Sequence, residues 1–295
     1  EVKERPAPQG GAEDQSRLAK IQPYSVAMPA FDGIDPKEPL GLAEKHMWGI
    51  TAFDHLWSRI RFKRARWQGS MTPPGTDRTI NYPGTLGGSN WGGLSFDPER
   101  GIMVGNWNRM AMHLRLMPRA EADAIGLEPA TSAGTDVGGN VAQAGTPYAA
   151  ELSPFLSPLG VPCLAPPYAL VTAVDLNRQK VIWTRRSGTA EDSGPFGIKS
   201  RLPILMGVPG LGGSIVTRSG LVFIAASGEQ SLRAMDLRTG DVLWKGRLPA
   251  GGNATPMSYL SPASGRQFVV LAAGGPRLLR HSPGDYIVAY ALANS

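Results

Sequence analysis

The sequence predicts an all-β fold: a partial β-propeller of about three blades, with a short helix and long loops. Three observations carry this. One pattern occurs twice, as "VTAVDLNRQKVIWTRRSG" (Val171–Gly188) and "LRAMDLRTGDVLWKGRLP" (Leu232–Pro249), with Ala173, Asp175 and Trp183 spaced like Ala234, Asp236 and Trp244. The second copy closes a run of four short apolar segments separated by turn residues. Glycine and proline, 37 and 26 in 295 residues, are spread without a strict period, as many tight turns demand and a collagen-like chain does not allow.

The four segments are Gly213–Thr217, Leu221–Ala226, Leu232–Leu237 and Val242–Leu248, joined by "RSG", "SGEQ" and "RTGD". Such turns join antiparallel neighbours into a meander, with Gly240 in the left-handed position. In that blade Trp244 is the wedge towards a neighbour, Ala234 is small so that the neighbour can approach, and Asp236 accepts bonds from turn amides. Upstream, "WGGLSFDPERGIMVGNW" supplies two strands and "YALVTAVDLNRQKVIWTRR" two more, around a long insertion at about 115–165. Downstream, "ATPMSYLSPASGRQFVVLAAGG" gives two strands and "DYIVAYAL" a third, with no fourth. The expected divisions are 1–90 (Pro-rich extended plus helical), 91–187 (blade with the insertion), 188–248 (blade) and 249–295 (incomplete last blade).

Outside the blades, "ITAFDHLWSRIRF" sets Ile50, Phe53, Leu56, Trp57 and Ile60 at helical spacing and predicts a helix. Residues 1–45 are expected to run extended over a surface, and the Gly/Pro-rich 120–165 stretch to be ordered only by packing. Three blades cannot close a ring that takes four to eight. The chain, which begins "EVKERPAPQGG" without Met or signal peptide, therefore reads as the C-terminal part of a larger propeller.

At 42% hydrophobic and 18% charged residues, a sizeable core is expected. The formal charge is +6, densest in "RIRFKRAR" (Arg59–Arg66). Ile60 and Phe62 interrupt that run and no nucleic-acid motif surrounds it, so it reads as a solvated or phosphate-facing surface and no nucleic-acid partner is expected. Cys163 is the sole cysteine, which excludes an intrachain disulfide and a cysteine-rich zinc site. No apolar run approaches the ~20 residues that span a bilayer.

In a four-stranded meander the start of strand one and the end of strand two share an edge. That edge collects Asn90 and Trp91, then Asn106, Trp107 and Asn108, then Ser227–Gln230, and finally Gly274–Pro276 with the loop to Asp285. Amides and a carboxylate beside tryptophan and bare glycine backbone suit a flat polar ligand. Asn90 and Asn106 would equally serve as turn caps.

"NYPGTLGGSNWGGLSFDP", "PFLSPLGVPC", "GRLPAGGNATPMSY" and "GDYIVAYAL", with "MWGITAFDHLWSRIRF", "MTPPG" and "RLMPRAEAD", resemble the membrane-bound quinoprotein dehydrogenases of the glucose/quinate/shikimate group. The resemblance covers nearly the whole chain. It implies an eight-bladed periplasmic propeller held to the inner membrane through an N-terminal region absent here. The implied cofactors are pyrroloquinoline quinone (PQQ) and a divalent cation, calcium or magnesium, with ubiquinone as acceptor and a small polyol, cyclic hydroxy acid or sugar as substrate. It further implies that Asn90, Trp91, Asn106, Glu229 and Pro276 lie at the cofactor. The family's catalytic aspartate and cofactor-contacting lysine fall N-terminal to this chain, so no catalytic or metal-ligating residue is assigned within it. The fragment alone is expected to be inactive without its missing propeller half. Glu229 and Pro276 stand where glucose-oxidising relatives carry aspartate and histidine, which favours quinate, shikimate or another polyol over glucose. The alternatives are a glucose dehydrogenase of the same family, a soluble quinoprotein alcohol dehydrogenase, which "MWGITAFD" and "RLMPRAEAD" argue against, and a non-enzymatic propeller scaffold with similar repeats, which would need neither "NWGG" nor the "LSPFLSPLGVPC" insertion.

Overall fold

The structure is a computed structural model that describes residues 2–11, 18–25, 41–129, 139–142, 144–275 and 283–292. These form two compact units, one from residues up to Gly87 with Met110–Ala165, the other from Gly88–Arg109 and Pro166 onward. The first unit opens with strands β1 (Val2–Pro6) and β2 (Ile21–Ser25), helix α1 (Ala52–Arg64) and strand β3 (Thr79–Asn81). The chain then enters the second unit for β4 (Leu94–Asp97) and β5 (Ile102–Asn108). It returns to the first for β6 (Met112–Pro118), a short helix α2 (Arg119–Ala124), β7 (Gly139–Ala142) and β8 (Tyr148–Pro154).

The first unit pairs strands that the sequence reading did not pair. The proline-rich start is an antiparallel pair, Val2 opposite Ser25. Arg66 meets the chain beyond it, donating to the Gly10 carbonyl at 3.4 Å while pairing with Asp77 at 3.0 Å. The insertion, expected to be ordered only by packing, is a four-stranded antiparallel sheet in the order β3-β6-β8-β7. Met112 lies opposite Pro154, across a gap that a local turn signal cannot reveal.

Helix α1 forms where its periodicity predicts, but its apolar stripe faces outward. Thr51 caps it, accepting from the Asp54 amide at 3.1 Å, and Asp54 Oδ2 accepts from the Ile50 amide at 3.1 Å. Asp54 and Ser58 face inward, both buried, while Ile50, Phe53, Leu56 and Ile60 are exposed. Trp57 and Phe62 pack half-buried against a core that includes Met47, Ile80, Phe155 and Cys163. Burial pushes the Cys163 thiol up to about 12 despite its bond to Ser58, so it stays protonated.

His113, buried on β6, lies 4.7 Å from the Phe155 ring. Burial lowers its pKa to about 4, helped by Arg61 and Arg78 and opposed by Glu151. An unfolded histidine protonates near 6.5, so acid favours unfolding. Stability from this site is complete above pH 6.5 and drains away between 6.5 and about 4. Urea denaturation against pH should show that loss, and His113→Phe should flatten the curve across the same window.

The second unit stacks three antiparallel sheets. The first has the order β4-β5-β9-β10, with β9 (Ala169–Asp175) and β10 (Lys180–Arg186) following the excursion through the first unit. The second is β11 (Ser214–Val216), β12 (Leu221–Ile224), β13 (Ser231–Asp236) and β14 (Val242–Arg247). The third has three strands among the described residues, β15 (Met257–Leu260), β16 (Gln267–Ala273) and β17 (Tyr286–Ala291). Ile102, Val104, Val171 and Trp183 of the first sheet pack on Val222, Ile224, Met235 and Leu237 of the second. Ala225 and Leu232 of the second meet Val269 and Leu271 of the third. The middle sheet is thus covered on both faces, as a propeller blade is by its neighbours. No helix among the described residues is long and apolar enough to cross a membrane.

The repeated residues do what their types predict. Asp236 Oδ1 accepts from the amides of Arg238 and Thr239 at 2.7 and 3.0 Å, and Gly240 takes φ 73°. Trp183, buried, donates its indole N–H to the Leu237 carbonyl of the next sheet at 2.9 Å. Its ring covers Gly240, where a Cβ would come within 2.6 Å. Trp244, the equivalent one sheet on, meets Tyr290 edge-on at 5.0 Å and stays 40% exposed. Trp183→Ala should cost about 3–5 kcal/mol in chemical denaturation. Trp183→Phe should cost less, chiefly the lost Leu237 bond and part of the ring contact.

Candidate functional site

The site edge is built from the segments that lead into the three stacked sheets. Gly92, Gly212 and Gly213 bring their backbones into direct contact: a Cβ on Gly92 would lie 2.3 Å from the Gly212 carbonyl carbon. The Gly92 amide donates to the Leu211 carbonyl at 3.2 Å, and Leu211 donates to Asn253 Oδ1 at 3.1 Å. Ser95 and Ser214 share a hydroxyl bond of 2.6 Å at the start of β4 and β11. Only residues without side chains allow three chain segments to meet this closely.

Register then decides which loops share the edge. Leu94 pairs with Gly105, so Asn106 at the end of β5 lies beside the lead-in Asn90–Gly93. Ser214 pairs with Ile224, which puts the loop Ala225–Gln230 at the same end. Met257 pairs with Val270, which brings the end of β16 there too, where the Gly275 amide donates to the Gly251 carbonyl at 3.0 Å. Asn90, Trp91, Asn106 and Glu229 therefore share one end of their sheets, and Thr239–Gly240 occupy the other. Pro276 lies outside the described residues.

The four described candidates differ in what they offer. Trp91 is 64% exposed, and its backbone amide donates to Asn90 Oδ1 at 2.8 Å, so Asn90 acts as a turn cap. Asn106 is buried on β5. Neighbouring Asn108 holds the Gly210 backbone with both ends of its amide, at 2.8 and 3.1 Å, and Trp107 is tied to Thr172 at 2.9 Å. These two serve the scaffold.

Glu229 is held among basic groups of the protein. It has no exposed surface. Arg233 and Lys245 each pair with one of its carboxylate oxygens, and the Thr189 amide donates to it at 2.9 Å. Arg233 and Lys245 face each other across β13 and β14, a like-charge pair that needs an anion between them. Glu229 is that anion, so any influence on a cofactor passes through the cations it orients. Burial pushes its pKa up, but Arg233, Lys245 and the Thr189 amide prevail and hold it at about 2. Beside it, buried Asp192 takes the Arg247 guanidinium at 2.5 and 2.6 Å and the Gln230 amide at 2.9 Å. Arg233, four residues after Glu229 and opposite Lys245 across the hairpin, is the sequence signal for this cluster. Among the described residues, no group of three or more His, Cys, Asp or Glu side chains is placed to hold a metal ion.

The family profile described as "PQQ: Glucose/ethanol/alcohol dehydrogenase, beta-propeller domain" matches residues 1–269. The chain belongs to this PQQ-dependent dehydrogenase family. Its relatives include a probable quinate dehydrogenase (quinone) of Xanthomonas campestris pv. juglandis, 44% identical over 100% of this chain and 36% of the relative. A glycerol dehydrogenase large subunit of Gluconobacter thailandicus is 42% identical over 100% and 40%. The quinoprotein glucose dehydrogenase of Escherichia coli is 41% identical over 98% and 35%. The chain thus spans well under half the length of these relatives. In this quinoprotein-family chain the three stacked sheets are consecutive propeller blades.

The Glu229 cluster has a pH signature. An unfolded glutamate protonates near 4.5, so the stability this carboxylate supplies is complete above that pH and lost between 4.5 and about 2. Glu229→Gln leaves Arg233 buried opposite Lys245 and should cost about 3 kcal/mol or more at neutral pH. It should also flatten the acid limb of the urea-denaturation profile in that window.

Proposed function

We propose that this chain is the C-terminal portion of a periplasmic, membrane-anchored PQQ-dependent dehydrogenase that oxidises a polyol or cyclic hydroxy acid and passes electrons to ubiquinone. The observation that carries the reading is the match along the whole chain to quinate, glycerol and glucose dehydrogenases. The shared edge of Trp91, Asn90 and Asn106 supports it. Quinate, shikimate or another polyol is favoured over glucose because Glu229 and Pro276 replace the residues expected of glucose-oxidising relatives.

The chain's residues fit one side of a PQQ site. The exposed Trp91 indole offers an aromatic face to a planar ring system. Asn106 supplies an amide to polar atoms of the ring. The cofactor, when bound with calcium or magnesium, supplies the hydride-accepting carbonyl. The cation's carboxylate ligands and the base that takes the substrate hydroxyl proton are assigned to the propeller half N-terminal to this chain.

The test is dye-linked oxidation of quinate, shikimate, glycerol and glucose with PQQ and calcium or magnesium. Residues 1–295 alone should turn over none of them. Addition of the remaining propeller half, fused or in trans, should restore oxidation, with quinate, shikimate or glycerol above glucose. Turnover by residues 1–295 alone at the rate of the complete enzyme would overturn the proposal, as would restored activity on glucose alone.

A further inference from the structure

The contact between the first and second sheets of the second unit changes character along its length. One face of the second sheet carries Met235, which packs on the first sheet. Side chains two residues apart share a strand face, so Arg233 and Ser231 lie on it too, with Lys245 and Arg247 opposite them on β14. On β13 the apolar side chains of this face stop at Met235, and towards the site edge the contact is ionic. Glu229, Glu191 and Asp192 supply the acids, and Arg233, Lys245, Arg247 and Lys199 the bases. Stacking by itself needs no such layer: the other face of the second sheet meets the third through Ala225, Leu232, Val269 and Leu271. Buried charge costs more than an apolar contact of the same size, and what it supplies in return is fixed geometry.

Asp192 is the residue that turns this layer into a clamp. It stands in the segment between β10 and β11, with its side chain 5% exposed. Its two oxygens take the Arg247 guanidinium at 2.5 and 2.6 Å, a bidentate pairing that sets direction as well as distance. One of them also accepts from the Gln230 amide at 2.9 Å, and Lys199 stands 3.5 Å from the other. Gln230 is held a second time, its side-chain carbonyl accepting from Arg247 at 3.1 Å. In the opposite sense, the Thr189 amide of the segment donates to Glu229 of the loop at 2.9 Å. The loop's carboxylate thus holds the segment, and the segment's carboxylate holds the loop. Burial pushes the Asp192 carboxyl up, but Arg247, the Gln230 amide and Lys199 hold it below the usual carboxylate range, so the clamp is ionised.

We infer that Asp192 is a positioning residue for the cofactor edge: through Arg247 and Gln230 it holds the loop 227–230 in the arrangement that accepts PQQ. The inference rests on the reading of that edge as one side of a PQQ site. Asp192 is assigned no contact with the cofactor. A loop released from it spends part of its time in other arrangements, and the apparent affinity falls by the fraction that stays competent.

The test has two stages. Hydrogen exchange on residues 1–295 compares the wild type with Asp192→Ala, in which the Gln230 amide loses its acceptor and should exchange faster. In the protein completed by its N-terminal half, PQQ is then titrated by tryptophan fluorescence and by dye-linked oxidation. Asp192→Ala should raise the PQQ concentration at half-saturation about tenfold, as a loop competent a tenth of the time requires. At saturating PQQ kcat should change little, and Asp192→Glu should recover part of the affinity. Asp241→Ala, which removes the 3.5 Å pair with Arg185 at the far end of the same contact, should leave the titration unchanged. The double variant D192A/R247M removes the clamp with net charge unchanged. It should regain urea stability lost in Asp192→Ala, because no guanidinium is left without its carboxylate, yet keep the weak PQQ affinity. A purely structural role predicts that affinity recovers together with stability. The inference fails on that result, on a Gln230 amide that keeps its protection in Asp192→Ala, or on a PQQ titration that this variant does not shift. A completed wild-type protein that does not respond to PQQ overturns the PQQ reading itself, and the inference with it.

Discussion

The insertion of the Trp183 indole over Gly240, with its N–H on the Leu237 carbonyl, is the contact on which the stacked blades depend. A sheet in this unit has two faces to bury and no helix to cover either. Each blade is stable only where its neighbour lies against it, and the tryptophan sets that distance. The inner end is set separately, by Gly92, Gly212 and Gly213, whose backbones touch. Bare backbone at the near end lets the lead-in segments of neighbouring sheets touch, and the site edge is formed there.

The charges at that edge follow from the same stacking. Blade packing buries the loop Ala225–Gln230, so its carboxylate cannot stay hydrated and must be paired. Arg233 and Lys245 meet that need, and their cross-strand repulsion is relieved in return. The result is a stiff, precharged support behind the edge rather than a group that reaches a ligand. Trp91, by contrast, stays exposed in the lead-in to the first sheet.

The first unit follows another logic. Its sheet assembles from strands far apart in the chain, and its helix is capped by Thr51 while Phe53, Leu56 and Ile60 face outward.

The sequence alone determined the blade strands, their turns and the roles of Trp183, Asp236 and Gly240, because each is set by neighbours within a few residues: period-two alternation, turn chemistry and a short repeat. It also placed Asn90, Trp91, Asn106 and Glu229 at one edge, since meander topology follows from short loops. Tertiary structure alone decided which of them face outward. Glu229 and Trp91 share an edge, yet packing between blades buries one and spares the other, and no local pattern encodes a neighbour's contact. The same holds for the sheet that joins Thr79–Asn81 to Met112–Pro154 and for the direction in which α1 turns its stripe. Pairing across long stretches of chain, and the choice of which helix face is covered, depend on what lies opposite in space, which a single sequence does not display.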